Sequence, residues 1–326
     1  MSRNSDLVTA VEDSLRAPSV YNTQPWRWRF SGSGVELHAD RGRRLTATDP
    51  EGRDLLLSCG AALHHLRVAL AARGAGVVVA YTPDPDDADH LATVTPTADP
   101  PDPTAAALFG QITRRHTERR RMSHRPVPAD LLAELADQAR HSGARLVPVT
   151  DPATLERLTT AFRDAAARQR FVPGYATELQ LWTRRATGSR DGIGAGSIAA
   201  PVENGFPLRT FSDHGQLTQP RPAPGHDDAD DAAELVVIVT DGDTSADRVR
   251  AGEALSAVLL HATGLRLATT PLSQATEVSE TRRAIGRALQ TRRQPQILVR
   301  LGWPATTAEE LPATPRRDLR SVLLPC

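Results

Sequence analysis

Lysine is absent from the 326 residues; apart from histidine, every basic side chain is arginine. That excludes a Schiff-base lysine for pyridoxal phosphate and the lysine of a P-loop. Any phosphate site must use arginine, histidine, hydroxyls and backbone N–H groups. Cysteine is nearly absent too, with only Cys59 and Cys326. Two thiols make no disulfide framework and no thiolate zinc site, and they suit a reducing compartment. There is no excess charge: the formal net charge is zero, so the basic balance of a nucleic-acid binder is missing. Met1 to Asp6 is polar, which reads as no signal peptide, and no apolar run approaches the roughly 18 residues of a membrane span. A cytoplasmic protein without nucleic-acid, membrane or metal partners is expected. Hydrophobic residues make up 40% and charged residues 24%, ordinary for a globular chain. The length suits two modest domains or one fold built twice.

Periodicity predicts a helix over residues 5–16, capped by Asn4 or Ser5 and ended by Pro18. Trp26 to Phe30 alternates as a strand, and Val35 to Ala39 is its hairpin partner across a Gly/Ser turn. Leu55 to Arg73 is helical, with Leu56, Leu63, Leu66 and Leu70 inward, and Val77 to Tyr81 reads as a buried strand. Residues 82–104, rich in Pro and Asp, read as a linker. Beyond it, helices are expected over 104–115, 129–141, 152–170, 174–186 and 250–267. Strands are expected over 145–149, 235–240 and 297–301. Gly188 to Ala233 turns to Gly, Pro, Asp and Ser, a lid or a disordered insertion. One internal echo stands out: Gly60, Ala62, Leu63 and Leu66 share their spacing with Gly252, Ala254, Leu255 and Val258. Such an echo suggests duplication.

Four segments could carry chemistry. Ala17 to Trp26 joins the first helix to the first strand and offers backbone N–H groups, a hydroxyl and an amide to the polar edge of a heteroaromatic ring. Composition alone favours an ordinary Pro-bounded loop there. Arg114-Arg115-His116-Thr117-Glu118-Arg119 would suit a phosphate, or be a solvated arginine face. Thr314-Pro315-Arg316-Arg317 adds two more arginines in what otherwise reads as a solvated tail. Gly264 to Gln274 is a loop of small hydroxyl residues around Pro271, able to lay N–H groups against a flat ligand.

Together these pieces resemble the nitroreductase superfamily, in particular its tandem, Acg-like branch. The resemblance rests on Pro18-Ser19-x-x-Asn22-x-Gln24-Pro25-Trp26, on Arg115-His116-Thr117-x-Arg119, and on the Arg316-Arg317 pair. Further similar stretches are Asp49-Pro50-Glu51-Gly52-Arg53, Ser58 to Leu63, Arg250 to Leu255 and Gln294 to Gly302. It implies an α+β, nitroreductase-like fold whose two halves mimic the family's homodimer, mostly antiparallel sheets flanked by helices. Residues 1–103 would be the half with the ring-facing loop. Residues 104–326 would be the half with the phosphate site, with a lid at about 188–233. The chain would be a monomeric pseudo-dimer, a true homodimer remaining possible.

The implied cofactor is FMN, one per chain. Arg115, His116, Thr117, Arg119, Arg316 and Arg317 would hold its phosphate; Thr117 replaces the family's usual Ser but keeps the hydroxyl. Pro18, Ser19, Val20 and Asn22 would line the ring, and Pro271, Leu272, Ser273 and Gln274 would face its edge. Two functions follow from the resemblance. One is an oxidoreductase using NAD(P)H to reduce a nitroaromatic, quinone or similar small aromatic acceptor, with no catalytic residue named. The other is an FMN-storing or sequestering protein whose lid, through Phe206, Leu208 and Phe211, caps the ring. Three motifs are set aside. Gly192-Ile193-Gly194-Ala195-Gly196 follows a helix and lacks the third glycine of a dinucleotide fingerprint. His64-His65 reads as partly exposed surface rather than a metal pair. Asp227, Asp228, Asp230 and Asp231 lack the glycine and glutamate of a calcium loop.

Overall fold

The computed structural model describes residues 3–32, 34–82, 84–186, 188–199, 206–211, 215–221, 225 and 231–325. The first half holds α1 (Arg3–Ser14), the hairpin β1 (Trp26–Ser31) and β2 (Gly34–Ala39), α2 (Arg53–Ala72), β3 (Gly76–Tyr81) and β4 (His90–Thr97). After α3 (Pro103–Ala107) come α4 (Ala129–His141), β5 (Arg145–Pro148), α5 (Pro152–Gln169) and α6 (Tyr175–Thr183). The chain then forms β6 (Glu234–Thr240), α7 (Ser245–Gly264), β7 (Ala268–Leu272), α8 (Gln274–Glu277), α9 (Ser279–Ala288) and β8 (Gln294–Gly302). Two antiparallel four-stranded sheets result, ordered β1-β2-β4-β3 and β5-β6-β8-β7. The strand order is the same in both, and α2 and α7 occupy corresponding places in it.

The crossing of α2 and α7 explains the glycine echo. A Cβ on Gly60 would meet the Val249 carbonyl oxygen at 2.0 Å and the Gly252 Cα at 2.9 Å. On Gly252 it would meet the Leu57 oxygen at 2.1 Å and the Gly60 Cα at 2.9 Å. Only glycine lets the two backbones approach this closely. One turn further on, His64 and His65 both place Nδ1 2.9 Å from the Ser256 hydroxyl. Both imidazoles are buried, which corrects the expectation of exposed surface. Burial pushes His64 down to about 3. By length and composition α2 could cross a membrane, but it lies in the core, between the first sheet and α7.

Several other expectations change. Residues 82–104 contain a strand, β4, with Leu91, Ala92 and Val94 buried. Pro96 obscured it in the sequence; it lies beyond the end of β2, with only β3 beside it. β3 is an edge strand rather than a buried one, and Val78 is 57% exposed. The helix expected over 104–115 is a short α3 followed by a turn at Phe109–Gln111. α1 starts at Arg3, so Ser5 lies inside it, and it ends at Ser14, well before Pro18. α7 starts at Ser245, where Thr244 and Asp247 form a reciprocal capping box. The Gly264–Gln274 loop is largely strand, since β7 runs through Pro271 and Leu272 and α8 follows at Gln274. Asp227, Asp228, Asp230 and Cys326 lie outside the described residues, as does much of 188–233. The tail is not solvated throughout: Leu323 bridges Trp28 on the edge strand β1, and the Leu324 N–H donates to the Trp28 carbonyl at 2.8 Å. That pairing brings residues 312–317 back to the loop before β1.

Candidate functional site

The loop from Ala17 to Trp26 is held in an unusual backbone. Tyr21, Asn22 and Gln24 all have positive φ, 48°, 55° and 50°. Such conformations cost free energy and persist only where surroundings fix them. Here the fixing comes from three directions. The Val20 N–H donates to Ser58 Oγ on α2 at 3.1 Å, and the Gln24 N–H to Ser19 Oγ at 2.9 Å. The Gln24 side chain donates to the Arg190 carbonyl at 2.8 Å and accepts from the Arg317 N–H at 2.8 Å. Asn22 Nδ2 donates to the carbonyls of Gly192 (3.0 Å) and Pro315 (3.2 Å). The hydroxyl of Ser19 and the N–H of Val20 are thus engaged inside the protein.

Two cavities adjoin this loop. The smaller, about 60 Å³, is lined by Asn22, Arg115, His116, Thr117, Arg119 and Arg316 among others. The larger, about 240 Å³, takes in Val20, Pro271, Leu272, Ser273 and Gln274, with apolar walls from Leu57, Phe162, Leu255 and Ile297. Pro18, Ser19, Thr117 and Arg119 line both, so the two form one polar-ended and one apolar-ended chamber. Thirteen of the fourteen residues singled out in the sequence line one or both cavities. Arg317 does not: its guanidinium donates to the Gln24 carbonyl at 3.2 Å and to the Ser321 carbonyl, behind the loop.

The electrostatics of the small cavity are one-sided. Arg115 is 8% exposed, and its Nε and Nη1 meet no hydrogen-bond acceptor among the described residues. Burial, and then the neighbouring Arg119 charge, push it down to about 10. Arg316 is pushed down to about 9 by burial and by the charges of Arg115 and Arg16, and its Nε is likewise without an acceptor. Burial takes Arg119 down to about 10, only partly opposed by Glu118. His116 is also lowered, by burial and by Arg115. Arg115 and Arg316, whose largest charged neighbours are cations, fit an anion. The larger cavity next door, with apolar walls from Leu57, Phe162, Leu255 and Ile297, fits a flat ring system. The donor set matches a flavin mononucleotide in both respects.

A further wall of the large cavity comes from residues 206–211. Phe206 meets Phe162 edge-on at 5.0 Å between ring centres, and Phe211 meets Tyr21 edge-on at 5.5 Å. Leu208 packs on the cluster containing Phe162 and Leu272. The capping trio expected from the sequence therefore lies against the large cavity. Nothing about Arg209 stood out in the sequence, yet its guanidinium bonds both oxygens of Glu277 at 2.5 and 2.6 Å. Nor did the sequence mark Asp54, which lines the same cavity. These residues belong to segments too far apart in the chain for spacing to connect them. Away from the cavities, Glu36, His38 and His90 cluster on the first sheet, where Glu36 already pairs with Arg29 at 2.6 Å.

No family model matches the chain. Curated relatives do. "Putative NAD(P)H nitroreductase Rv3131" of Mycobacterium tuberculosis is 39% identical over 321 residues, covering 97% of this chain and 90% of that protein. "Putative NAD(P)H nitroreductase acg" of the same organism is 34% identical over 322 residues, covering 96% and 94%. Among solved structures, a Bacteroides fragilis nitroreductase with bound FMN is 16% identical, covering 64% of this chain and 93% of its own, with a TM-score of 0.40. The FMN-dependent nitroreductase NfnB of Mycobacterium smegmatis, in complex with NADPH, is 16% identical, covering 67% and 96%, also at 0.40. Identity at this level along nearly the whole length of both partners means that the chain belongs to the Acg-like family of nitroreductases.

Proposed function

We propose that the chain binds one FMN and works as an NAD(P)H-dependent oxidoreductase on a nitroaromatic, quinone or similar aromatic acceptor. The observation that carries this reading is the convergence of Arg115, Arg119 and Arg316 on one small cavity, where two guanidinium nitrogens of the buried Arg115 have no acceptor among the described residues. Bound FMN would supply hydride chemistry that no side chain can supply. The protein's own part is binding and orientation. Arg115, Arg119 and Arg316, with His116 and Thr117, hold the phosphate. Pro18, Ser19, Val20 and Asn22 line one side of the ring, and Pro271 to Gln274 lie at its edge. Arg317 acts at one remove, fixing Gln24 and with it the strained loop. Residues 1–103 supply the loop and 104–326 most of the phosphate site, so a cytoplasmic monomer built as a pseudo-dimer completes the reading.

One observation favours storage of FMN instead: Phe206, Leu208 and Phe211 already lie against the chamber that a substrate would enter. Anaerobic absorption spectra separate the two. Yellow protein that bleaches within seconds of adding NADH or NADPH supports the oxidoreductase. Yellow protein that stays yellow supports storage. Protein that takes up no FMN at all refutes both.

A further inference from the structure

Arg209 occupies a recess built to hold a guanidinium. One nitrogen, Nη2, donates to both oxygens of Glu277, at 2.5 and 2.6 Å, and Nη1 donates to the Tyr21 hydroxyl. The guanidinium carbon lies 5.1 Å from the centre of the Tyr21 ring, and the Tyr175 hydroxyl is 3.4 Å away. The Glu277 side chain has no solvent exposure, and it is oriented by Ser273 Oγ at 2.7 Å and Gln169 Nε2 at 2.5 Å. A planar cation against a carboxylate and an aromatic face is a strong recognition pair when water is excluded.

Two further observations distinguish this recess from an ordinary structural ion pair. First, it holds more acceptors than Arg209 uses. Asp54, 4% exposed, sits within hydrogen-bond reach of Glu277 and Ser273, lines the large cavity, and has an Oδ2 with no partner among the described residues. Second, its occupant comes on a strap that side chains alone secure. Among the described residues no backbone hydrogen bond ties 206–211 to the body; Phe206, Arg209 and Phe211 anchor it by their side chains. A segment held this way exchanges more readily than one held by a ladder.

We propose that the Glu277–Asp54–Tyr21 recess is a subsite for a planar cation, a guanidinium or amidinium borne by a small molecule, which the chain fills with its own Arg209 until such a ligand displaces it. The proposal goes beyond the FMN reading and does not depend on it, because the recess is complete without the arginine cluster at the other end of the chamber. A ligand there would take both oxygens of Glu277, the free oxygen of Asp54 and the face of Tyr21. Displacing Arg209 would also lift the strap from the large cavity.

The test uses the full-length protein, with and without FMN, and methylguanidinium chloride as probe against methylammonium chloride at equal concentration. Arg209→Ala should show a saturable rise in Tm with methylguanidinium and none with methylammonium. Adding Glu277→Gln to that variant should weaken the response by about tenfold or more. Wild type should respond less, since the tethered Arg209 competes at a high effective concentration. Folded Arg209→Ala that treats the two cations alike overturns the proposal. If Arg209→Ala does not fold, the wild-type chain decides. Methylguanidinium should then speed chymotryptic cleavage after Leu208 or Phe211, and an unchanged rate overturns the proposal. Because FMN uptake is read separately, loss of the FMN reading leaves this result intact, and the reverse holds too.

Discussion

Arg115 should be a liability to the empty protein and an asset to the loaded one. Its guanidinium is buried beside Arg119 and pushed down to about 10, against an ordinary value near 12.5. At neutral pH it is charged in both folded and unfolded states. Holding that charge in the folded chain then costs about 3 kcal/mol relative to water. The cost is fully present below pH 10 and is relieved only as pH rises past it. Replacing Arg115 with Met keeps most of the stem and removes the charge. Some packing is lost, so the FMN-free variant should gain about 1–3 kcal/mol, read by urea unfolding. The FMN phosphate would lose charge-assisted hydrogen bonds of about 1.5–3 kcal/mol, weakening affinity roughly 10- to 150-fold. Quenching of flavin fluorescence during titration measures that loss. Opposite signs in the two assays are the signature. A variant that is less stable when empty, yet binds FMN as before, would refute the assignment of Arg115 to an anion.

Other perturbations test other parts. Gly60→Ala would drive its Cβ into the Val249 carbonyl, so a loss of about 3 kcal/mol or more in urea unfolding is expected. Asp243→Asn leaves Arg53, 1% exposed, with only Glu51 at 3.7 Å and the neutral Gln296; a loss of about 2–4 kcal/mol should appear in the same assay. For His64, burial keeps the ring neutral down to about pH 3, while the unfolded chain takes up a proton near 6.5. Stability is lost on that account as pH falls from about 6.5 towards 3. His64→Gln should flatten that slope by up to about 1.4 kcal/mol per pH unit, and an unchanged slope would contradict the burial argument.

Much of the site was legible because its chemistry is local. Arg115, His116, Thr117 and Arg119 lie within five residues, and the strained loop within ten, so motif and resemblance could both find them. The chain's β4 was hidden for a physical reason: Pro96 and the flanking acids signal a turn, while the strand tolerates the proline where only one neighbour needs its edge. Burial of His64 and His65 was equally illegible. On a helix read alone they point away from the leucine face; only α7, far along the chain, covers them. Arg209 and Glu277 stand 68 positions apart, and Asp54 is further still, so no periodicity links them. Arg317 shows the reverse error. Adjacency to Arg316 suggested a shared task, but Arg317 turns to Gln24.

The glycine crossing of α2 and α7 has a mechanical consequence. One helix carries Ser58, which fixes the strained loop; the other leads directly into β7 and the far wall of the large cavity. Main chain meets main chain where they cross, with no side chain between to act as a soft spacer. The gap between the loop and that wall is therefore gauged by backbone thickness. Either wall can change its lining residues without resetting the calibre of the chamber.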